Sequence, residues 1–455
     1  MPPELESLYT ADEMRAAEAG HDVATLMERA GRLAAEAALQ EMHGADPWTV
    51  VVGGGANGGD GRIMARHLEA GGKQVRLVDA TAGESELGEP EVIVDALFGT
   101  GFTGVPRPEA AALIERINAH AAKVFAVDVP SGVDASTGEV PGVAVRADAT
   151  VTFHGRKVGV VVAPGRFHAG RIRVADIGLD PRDTATRIAL PELLASVPRR
   201  SEGDNKYTSG HVLVVGGSPG LTGAPSLTAA AAMRADAGYV TVAARESSIP
   251  VLEQRLLEAV KRPLPEQLGD KAADAVLELA AKAGAVALGP GLGRDDGAKT
   301  LVRRLLAEIE LPMVVDADAL FELEPAAWGG PRVLTPHEGE LERLLGHEVK
   351  TRRLAAVREA AERFGCVVLL KGADTLVAAP GAGVLVSALG RPSLATAGTG
   401  DVLTGIVGAF LAKGMEPQRA ALAAAVAQQR ASVEAAQRAG LVASDLVEAL
   451  PRVLR

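Results

Sequence analysis

Short apolar runs alternate with amphipathic or Ala-rich stretches along most of the chain. In the first half the runs are 48–52, 74–78, 92–95, 124–128 and 149–152. Runs of this length predict strands, and their unbroken apolar character predicts a mostly parallel sheet covered by helices on both faces. Thr10 followed by Glu13 predicts a capped first helix, and 24–43 a second. Residues 163–177 read as a hairpin or an irregular extension. The pattern loses its regularity over 190–210, where the polar segment EGDNKYTSG occurs. A domain boundary is placed there, giving a first domain 1–200 and a second 205–455. The second restarts the alternation, with strands over 212–215, 239–243, 285–288, 313–316, 332–334, 367–370 and 376–379. An Ala-rich helix follows the first of these over 226–237, and the chain after Gly400 reads as helical. Both halves are therefore expected to be α/β, without a clear internal repeat.

Composition narrows the picture. Of 455 residues, 47% are hydrophobic but only 3% aromatic, so the cores must be built from Ala, Val and Leu. A formal charge of -11 argues against a nucleic-acid-binding surface. Cys366 is the only cysteine, which rules out an internal disulfide and is consistent with a reducing compartment. The opening MPPELESLYT has no basic start followed by an apolar core, and no run reaches the roughly 18 apolar residues of a membrane span. These features predict a cytoplasmic protein with neither membrane nor nucleic acid as partner. A homo-oligomer is expected, because symmetric assemblies of identical subunits are common.

Candidate chemistry gathers at two glycine-rich segments. GGGANGGDG (Gly53–Gly61) follows the first strand of its sheet, where a strand hands over to a helix. That is the ligand end of a parallel sheet, and the glycines let the backbone approach a ligand. It is not the dinucleotide fingerprint in its usual setting, because Asp79 is the only, weak, candidate for a ribose ligand. Asp95 and Asp128 end two further strands and precede LFGTGFTGV and VPSGVD. Asn57, Asp95 and Ser131 offer oxygen ligands that suit a hard cation. Asp128 is the candidate for proton transfer.

In the second half, Gly398-Thr399-Gly400-Asp401 opens a helical stretch. Amides at a helix start can receive a phosphate, and Asp401 fits a base that faces a hydroxyl about to meet that phosphate. TPHEGE, KGADT and GPGLG each follow a strand. His337 and Glu340 stand too close in sequence to specify a metal site. Lys371 supplies a cation near nucleotide phosphates, and KGADT lacks the ending of a P-loop. These loops converge if their strands are parallel.

GGGANGGDG, DALFGTGFTG and DVPSGVD resemble the N-terminal domain of the bifunctional nicotinamide-nucleotide hydrate repair proteins. The resemblance implies a Rossmann-like three-layer domain that epimerises NAD(P)HX, the hydrated form of NADH or NADPH. It implies K⁺ ligation by Asn57, Asp95 and Ser131. Substrate contact is carried onto Ala56, Asn57, Gly58, Gly59 and Asp60, onto the loop Gly99, Thr100, Gly101, Phe102, Thr103, Gly104 and Val105, and onto Asp128. Ala56 departs from the family, which usually has Asn there. GGSPGLTGAP, GPGLG, TPHEGE, KGADT and GTGDVLTG resemble the C-terminal domain of the same proteins, a ribokinase-like dehydratase dependent on ADP or ATP. By this resemblance Ala224, Gly291, His337 and Asp401 face the hydrate. Lys371, Gly372, Ala373, Asp374, Thr375 and Gly400 face the adenine nucleotide, with Mg²⁺ sharing the phosphate charge. A different reading uses the same segments: a ribokinase-like small-molecule kinase fused to a non-catalytic nucleotide-binding domain, which would release a stable phosphorylated product.

Overall fold

Within Trp48–Val52, side chains alternate between two apolar cores: Trp48, Val50 and Val52 enter one and Val51 the other. A strand buried on both faces needs a helical layer on each side, and the rest of the first half supplies them. The computed structural model describes residues 4–206, 208–437 and 439–454. Tyr207 of the NKYTSG segment and the first three residues lie outside them. By contacts the chain divides into two compact units, 7–187 with 350–354, and 188–349 with 355–454 and residues 4–6.

In chain order the strands are β1 (Leu5–Leu8), β2 (Trp48–Val52), β3 (Val75–Asp79), β4 (Val92–Ala96), β5 (Lys123–Val127), β6 (Ala149–Phe153), β7 (Arg171–Ala175), β8 (Thr186–Ala189), β9 (His211–Val215), β10 (Tyr239–Arg245), β11 (Val260–Leu264), β12 (Ala285–Leu288), β13 (Met313–Val315), β14 (Arg332–Leu334), β15 (Val367–Leu370), β16 (Thr375–Ala378) and β17 (Val384–Ser387). Among the described residues they form two sheets, six-stranded in the first unit and eleven-stranded in the second.

The first sheet runs β3-β2-β4-β5-β6-β7, and every pairing is parallel. Helices Val23–Glu41 and Ala56–Ala70 bury Ala34, Ala38, Met64 and Leu68 on one face. Helix Pro108–Ala119 buries Leu113, Ile114 and Ile117 on the other. The capping box at Thr10 is present: Glu13 N–H donates to Thr10 Oγ1 at 3.2 Å and Thr10 N–H to Glu13 Oε2 at 2.8 Å. The hairpin or irregular extension expected over 163–177 is instead a short turn, Gly165–Phe167, leading into β7, which pairs parallel with β6. This edge strand reads Arg-Ile-Arg-Val-Ala and leaves every residue at least partly exposed, so it carries no buried-strand signal.

The second sheet runs β1-β8-β17-β16-β15-β14-β13-β12-β9-β10-β11. From β11 through β15 the pairings are parallel. β16 and β17 then turn antiparallel, so KGADT is the bend of a hairpin. The core is Ala-rich, as the low aromatic content requires, and draws on helices Gly223–Arg234, Thr399–Ala412, Pro417–Glu434 and Ala443–Val453. Leu193, Leu194 and Val197, just before the polar segment, are buried in that same core. Small residues let helices touch at backbone distance: a Cβ added at Gly405 would lie 2.2 Å from the carbonyl oxygen of Thr228. Among the described residues, no helix is long and apolar enough to cross a membrane.

Candidate active sites

At the carboxyl edge of the first sheet, β2 hands over to helix Ala56–Ala70 through Gly55, and no side chain caps the helix. Its first amides and the positive end of its dipole are therefore available to a ligand. A Cβ at Gly58 would lie 1.9 Å from Gly53 O, so this loop tolerates only glycine there. Ala56 is exposed, whereas Asn57 and Asp60 are buried. Asp79 is already committed to partners within the protein. It accepts from Thr81 and from Arg62 at 2.7 Å, and these bonds hold its carboxyl at about 2.

Asn57, Asp95 and Ser131 come together around the peptide of Phe98. Asn57 Nδ2 donates to Phe98 O at 2.8 Å, and Phe98 N–H donates to Ser131 Oγ at 2.8 Å. The Ser131 hydroxyl and amide donate to Asp95 Oδ1 at 2.6 Å and Oδ2 at 2.8 Å. Burial pushes the Asp95 carboxyl up to about 6 against those hydrogen bonds. Asn57 Oδ1 is buried and, among the described residues, has no hydrogen-bond partner. A Cβ at Gly99 would come within 3.3 Å of that oxygen and 2.9 Å of Asn57 Cβ, so the glycine keeps the space beside the amide open.

Asp128 stands one loop away with φ +69°, a left-handed conformation rare outside glycine. Its Oδ2 accepts from the Thr100 amide at 3.0 Å and from the Thr100 hydroxyl. Its Oδ1 accepts from Thr152 Oγ1 at 3.2 Å and pairs with Lys157 Nζ at 2.8 Å. Burial pushes this carboxyl up, but Lys157 and the Thr100 bonds outweigh it and hold Asp128 below the usual carboxylate range. Asp60 behaves oppositely: burial first, then the charges of Asp128 and Glu18, push it up to about 8. Of the loop after β4, Thr100 is tied to Asp128 and Phe102 stacks on Phe98 at 4.8 Å between ring centres. Gly101, Thr103, Gly104 and Val105 are exposed.

In the second unit, helix Thr399–Ala412 starts after Gly398, at φ +87°, again without a side-chain cap. Asp401 lies in its first turn. Lys371 Nζ donates to Asp316 Oδ1 at 2.7 Å and lies 3.9 Å from Glu340, while Thr404 Oγ1 donates to Asp316 Oδ2 at 2.6 Å. A Cβ on Gly400 would be 3.4 Å from Lys371 Nζ, which puts the ammonium at the amino end of this helix. Burial would lower the Lys371 ammonium, but the carboxylates of Asp316 and Glu340 dominate and raise it, so it stays charged. Burial and the charge of Asp316 push Asp401 up to about 7, against the pull of Lys371.

The remaining residues read from sequence fall around this edge. His337 is the N-cap of helix Glu338–Leu345 in a reciprocal box with Glu340, and its ring is half-exposed. Gly291, at φ +62°, carries a carbonyl that accepts from Ser218 Oγ at 2.9 Å. Ala224 and Asp401 are linked by Thr228, whose hydroxyl lies 3.0 and 3.1 Å from their carbonyl oxygens. In KGADT, Gly372 and Ala373 are exposed, but the side chains of Asp374 and Thr375 are buried and Gln429 donates to Thr375 Oγ1 at 3.2 Å. Sequence reasoning missed four side chains: Thr152, Lys157, Asp316 and Thr404. Asp316 had a findable signal, because it ends an apolar strand run as Asp95 and Asp128 do. Lys157 had none, being one basic residue in the polar stretch HGRK.

Comparison with known proteins agrees with this geometry. Residues 212–452 match the family model described as NAD(P)H-hydrate dehydratase, and 23–88 with 77–159 match the YjeF-related protein N-terminus. Among curated relatives, the bifunctional NAD(P)H-hydrate repair enzyme of Moorella thermoacetica is 39% identical, over 89% of this chain and 87% of its own. That of Salinibacter ruber is 36% identical over 99% and 96%. The ADP/ATP-dependent NAD(P)H-hydrate dehydratase of Bacillus subtilis, co-crystallized with ATP and Mg²⁺, superposes with a TM-score of 0.52 at 29% identity, over 58% of this chain and 96% of its own.

Proposed function

The chain belongs to the family of bifunctional NAD(P)H-hydrate repair enzymes, and on that premise we propose that its two units divide the work. The first unit interconverts R- and S-NAD(P)HX. The second dehydrates S-NAD(P)HX to NAD(P)H at the expense of ADP or ATP. The observation that carries the second assignment is Asp401, a carboxyl raised to about 7 in the first turn of an uncapped helix beside the Lys371–Asp316 pair.

Hydroxide is a poor leaving group, so the ring hydroxyl at C6 must first be converted to an ester. Asp401 accepts the hydroxyl proton as the oxygen attacks the terminal phosphorus of the nucleotide. The amides after Gly398 and the Lys371 ammonium stabilise charge on the transferring group. The ring-nitrogen lone pair then expels phosphate, and loss of a proton from C5 restores the 5,6 double bond. His337, Gly291 and Ala224 line the hydrate side, and Gly372 and Ala373 offer exposed backbone to the nucleotide. Among the described residues no three His, Cys, Asp or Glu side chains group to hold a metal. Mg²⁺ would be carried on the nucleotide phosphates, with the carboxylates of Asp401 and Asp318 within electrostatic reach of each other, and would supply charge neutralisation there.

In the first unit, Asp128 is the proton acceptor and Asp60 the proton-holding partner. The unpartnered buried Asn57 Oδ1, with Asp95 and Ser131, fits K⁺, whose oxygen preference matches the set. Bound there, K⁺ supplies a fixed positive charge beside the substrate loops. Exposed Ala56 keeps a backbone amide at the helix start. A kinase would leave a persistent phosphorylated adduct. Incubation with S-NADHX and ADP separates the two: recovery of absorbance at 340 nm with stoichiometric phosphate release supports repair, and a stable adduct without that recovery refutes it.

A further inference from the structure

Lys157 is 1% exposed, a cation almost wholly withdrawn from water. Such a group persists only if its donors are satisfied and its charge matched. Nζ donates to Phe153 O at 2.7 Å, Thr152 Oγ1 at 3.0 Å and, at long range, Gly155 O at 3.4 Å, and it pairs with Asp128 Oδ1 at 2.8 Å. Four acceptors surround three N–H bonds, so none is left for a substrate. Thr152 closes a triangle by donating to the same Asp128 oxygen. Asp128 is thus held at both oxygens, Oδ1 by Lys157 and Thr152 and Oδ2 by Thr100.

The charged neighbours explain why such a clamp is needed. Glu18 at the end of helix Ala11–Glu18 and Asp60 on helix Ala56–Ala70 both act on this site, and His154 lies on the same loop as Lys157. Three carboxyl groups share one buried ammonium, and the ammonium contacts only Asp128 among them. We propose that Lys157 is a positioning residue of the epimerisation site, holding Asp128 as the oriented anionic carboxylate that the substrate meets, without touching the substrate itself. The proposal rests on the reading that Asp128 serves epimerisation.

The test uses the full-length protein and resolved epimers, following R-to-S interconversion without nucleotide so that the second unit is idle, with spontaneous epimerisation subtracted. Lys157→Met should lower kcat by roughly 100-fold, within the range of general acid–base effects, with KM little changed. Lys157→Arg should recover a large part of the loss. Lys157→Met in an Asp128→Asn background should be no slower than Asp128→Asn alone, because the clamp then has nothing to hold. ADP-dependent turnover of the S epimer should stay at the parent rate in all of them. Near-parental epimerisation in Lys157→Met alongside an inactive Asp128→Asn would overturn the proposal alone. An active Asp128→Asn would overturn the underlying reading with it. A loss confined to KM, or additive losses in the double variant, would also overturn it. If Lys157→Met does not fold, Lys157→Gln, which keeps a donor to Phe153 O but removes the charge, decides by the same comparison of kcat and KM with the parent.

Discussion

Lys371 meets Asp316 across 2.7 Å at the amino end of the helix that bears Asp401. The pair leaves that end of the site with a committed cation and a committed anion. Asp401, whose carboxylate accepts no hydrogen bond among the described residues, takes the electrostatic consequence. Burial and the Asp316 charge raise it into the neutral range, where a base is most useful.

A base must be ionised to act, so kcat/KM for S-NAD(P)HX with ADP is expected to rise with pH through about 7 and level off above it. Asp316→Asn removes a repelling charge and should move that rise to lower pH. Asp401→Asn should cost about 10²–10⁴-fold in turnover while leaving the thermal transition in place. Initial rates across pH, with the circular-dichroism melt of each variant, check all three outcomes. Near-normal turnover in Asp401→Asn would remove this residue from the mechanism.

Asp60 gives a stability signature in the other unit. Its carboxyl moves from an ordinary 3.8 to about 8 on folding, so between those values the native state binds more protons than the unfolded chain. Its contribution to stability is fully present below about pH 4 and is lost as pH rises through about 8. Asp60→Asn should flatten that decline. Melting temperatures of the parent and the variant at pH 5 and pH 8 measure it, and parallel slopes would show that the carboxyl is not the source.

Potassium should bind the folded first unit and not the unfolded chain, and so raise its melting temperature at constant ionic strength relative to sodium or choline. Asn57→Leu removes the unpartnered buried oxygen and should abolish the increment. Equal melting in all three salts would count against a potassium site at Asn57, Asp95 and Ser131.

The dehydratase should survive alone, but where the cut falls matters. A fragment from Ile188 keeps Leu193, Leu194 and Val197 in its core, whereas one from Asn205 loses all three. Each buried aliphatic side chain is worth about 1.5–3 kcal/mol, so the shorter fragment should melt at clearly lower denaturant. Both should turn over S-NAD(P)HX and leave the R form untouched at early times. Equal initial consumption of both epimers by the longer fragment would break the proposed division of labour.

The parallel strands and their glycine-rich loops were legible because buried strands advertise themselves as apolar runs. The runs at 48–52 and 285–288 stand where the sheets have them. β7 was not legible as a strand, since an edge strand with arginines at alternate positions buries too little to leave a pattern. The antiparallel turn at KGADT was equally hidden: strand direction is set by what the hairpin can pair with, not by local composition. At the sites, Asn57, Asp95 and Ser131 could be grouped from strand-end position. Lys157 could not, because its role depends on meeting Asp128 across 29 positions of chain, a contact made only by tertiary packing.

Gly405 sits one turn beyond Asp401, and its missing methyl lets the helix rest on the carbonyl of Thr228. The Thr228 hydroxyl meets the carbonyl of Asp401 a turn earlier. With Asp401 as the proposed base, the reach from carboxylate to substrate becomes a machining tolerance, set by how closely two backbones are allowed to lie. An alanine at 405 would act as a shim, lifting the reactive group off its mark with every ionisable residue unchanged. On the assignment of Asp401 as the base, the chemical step would depend in part on an atom that is not there.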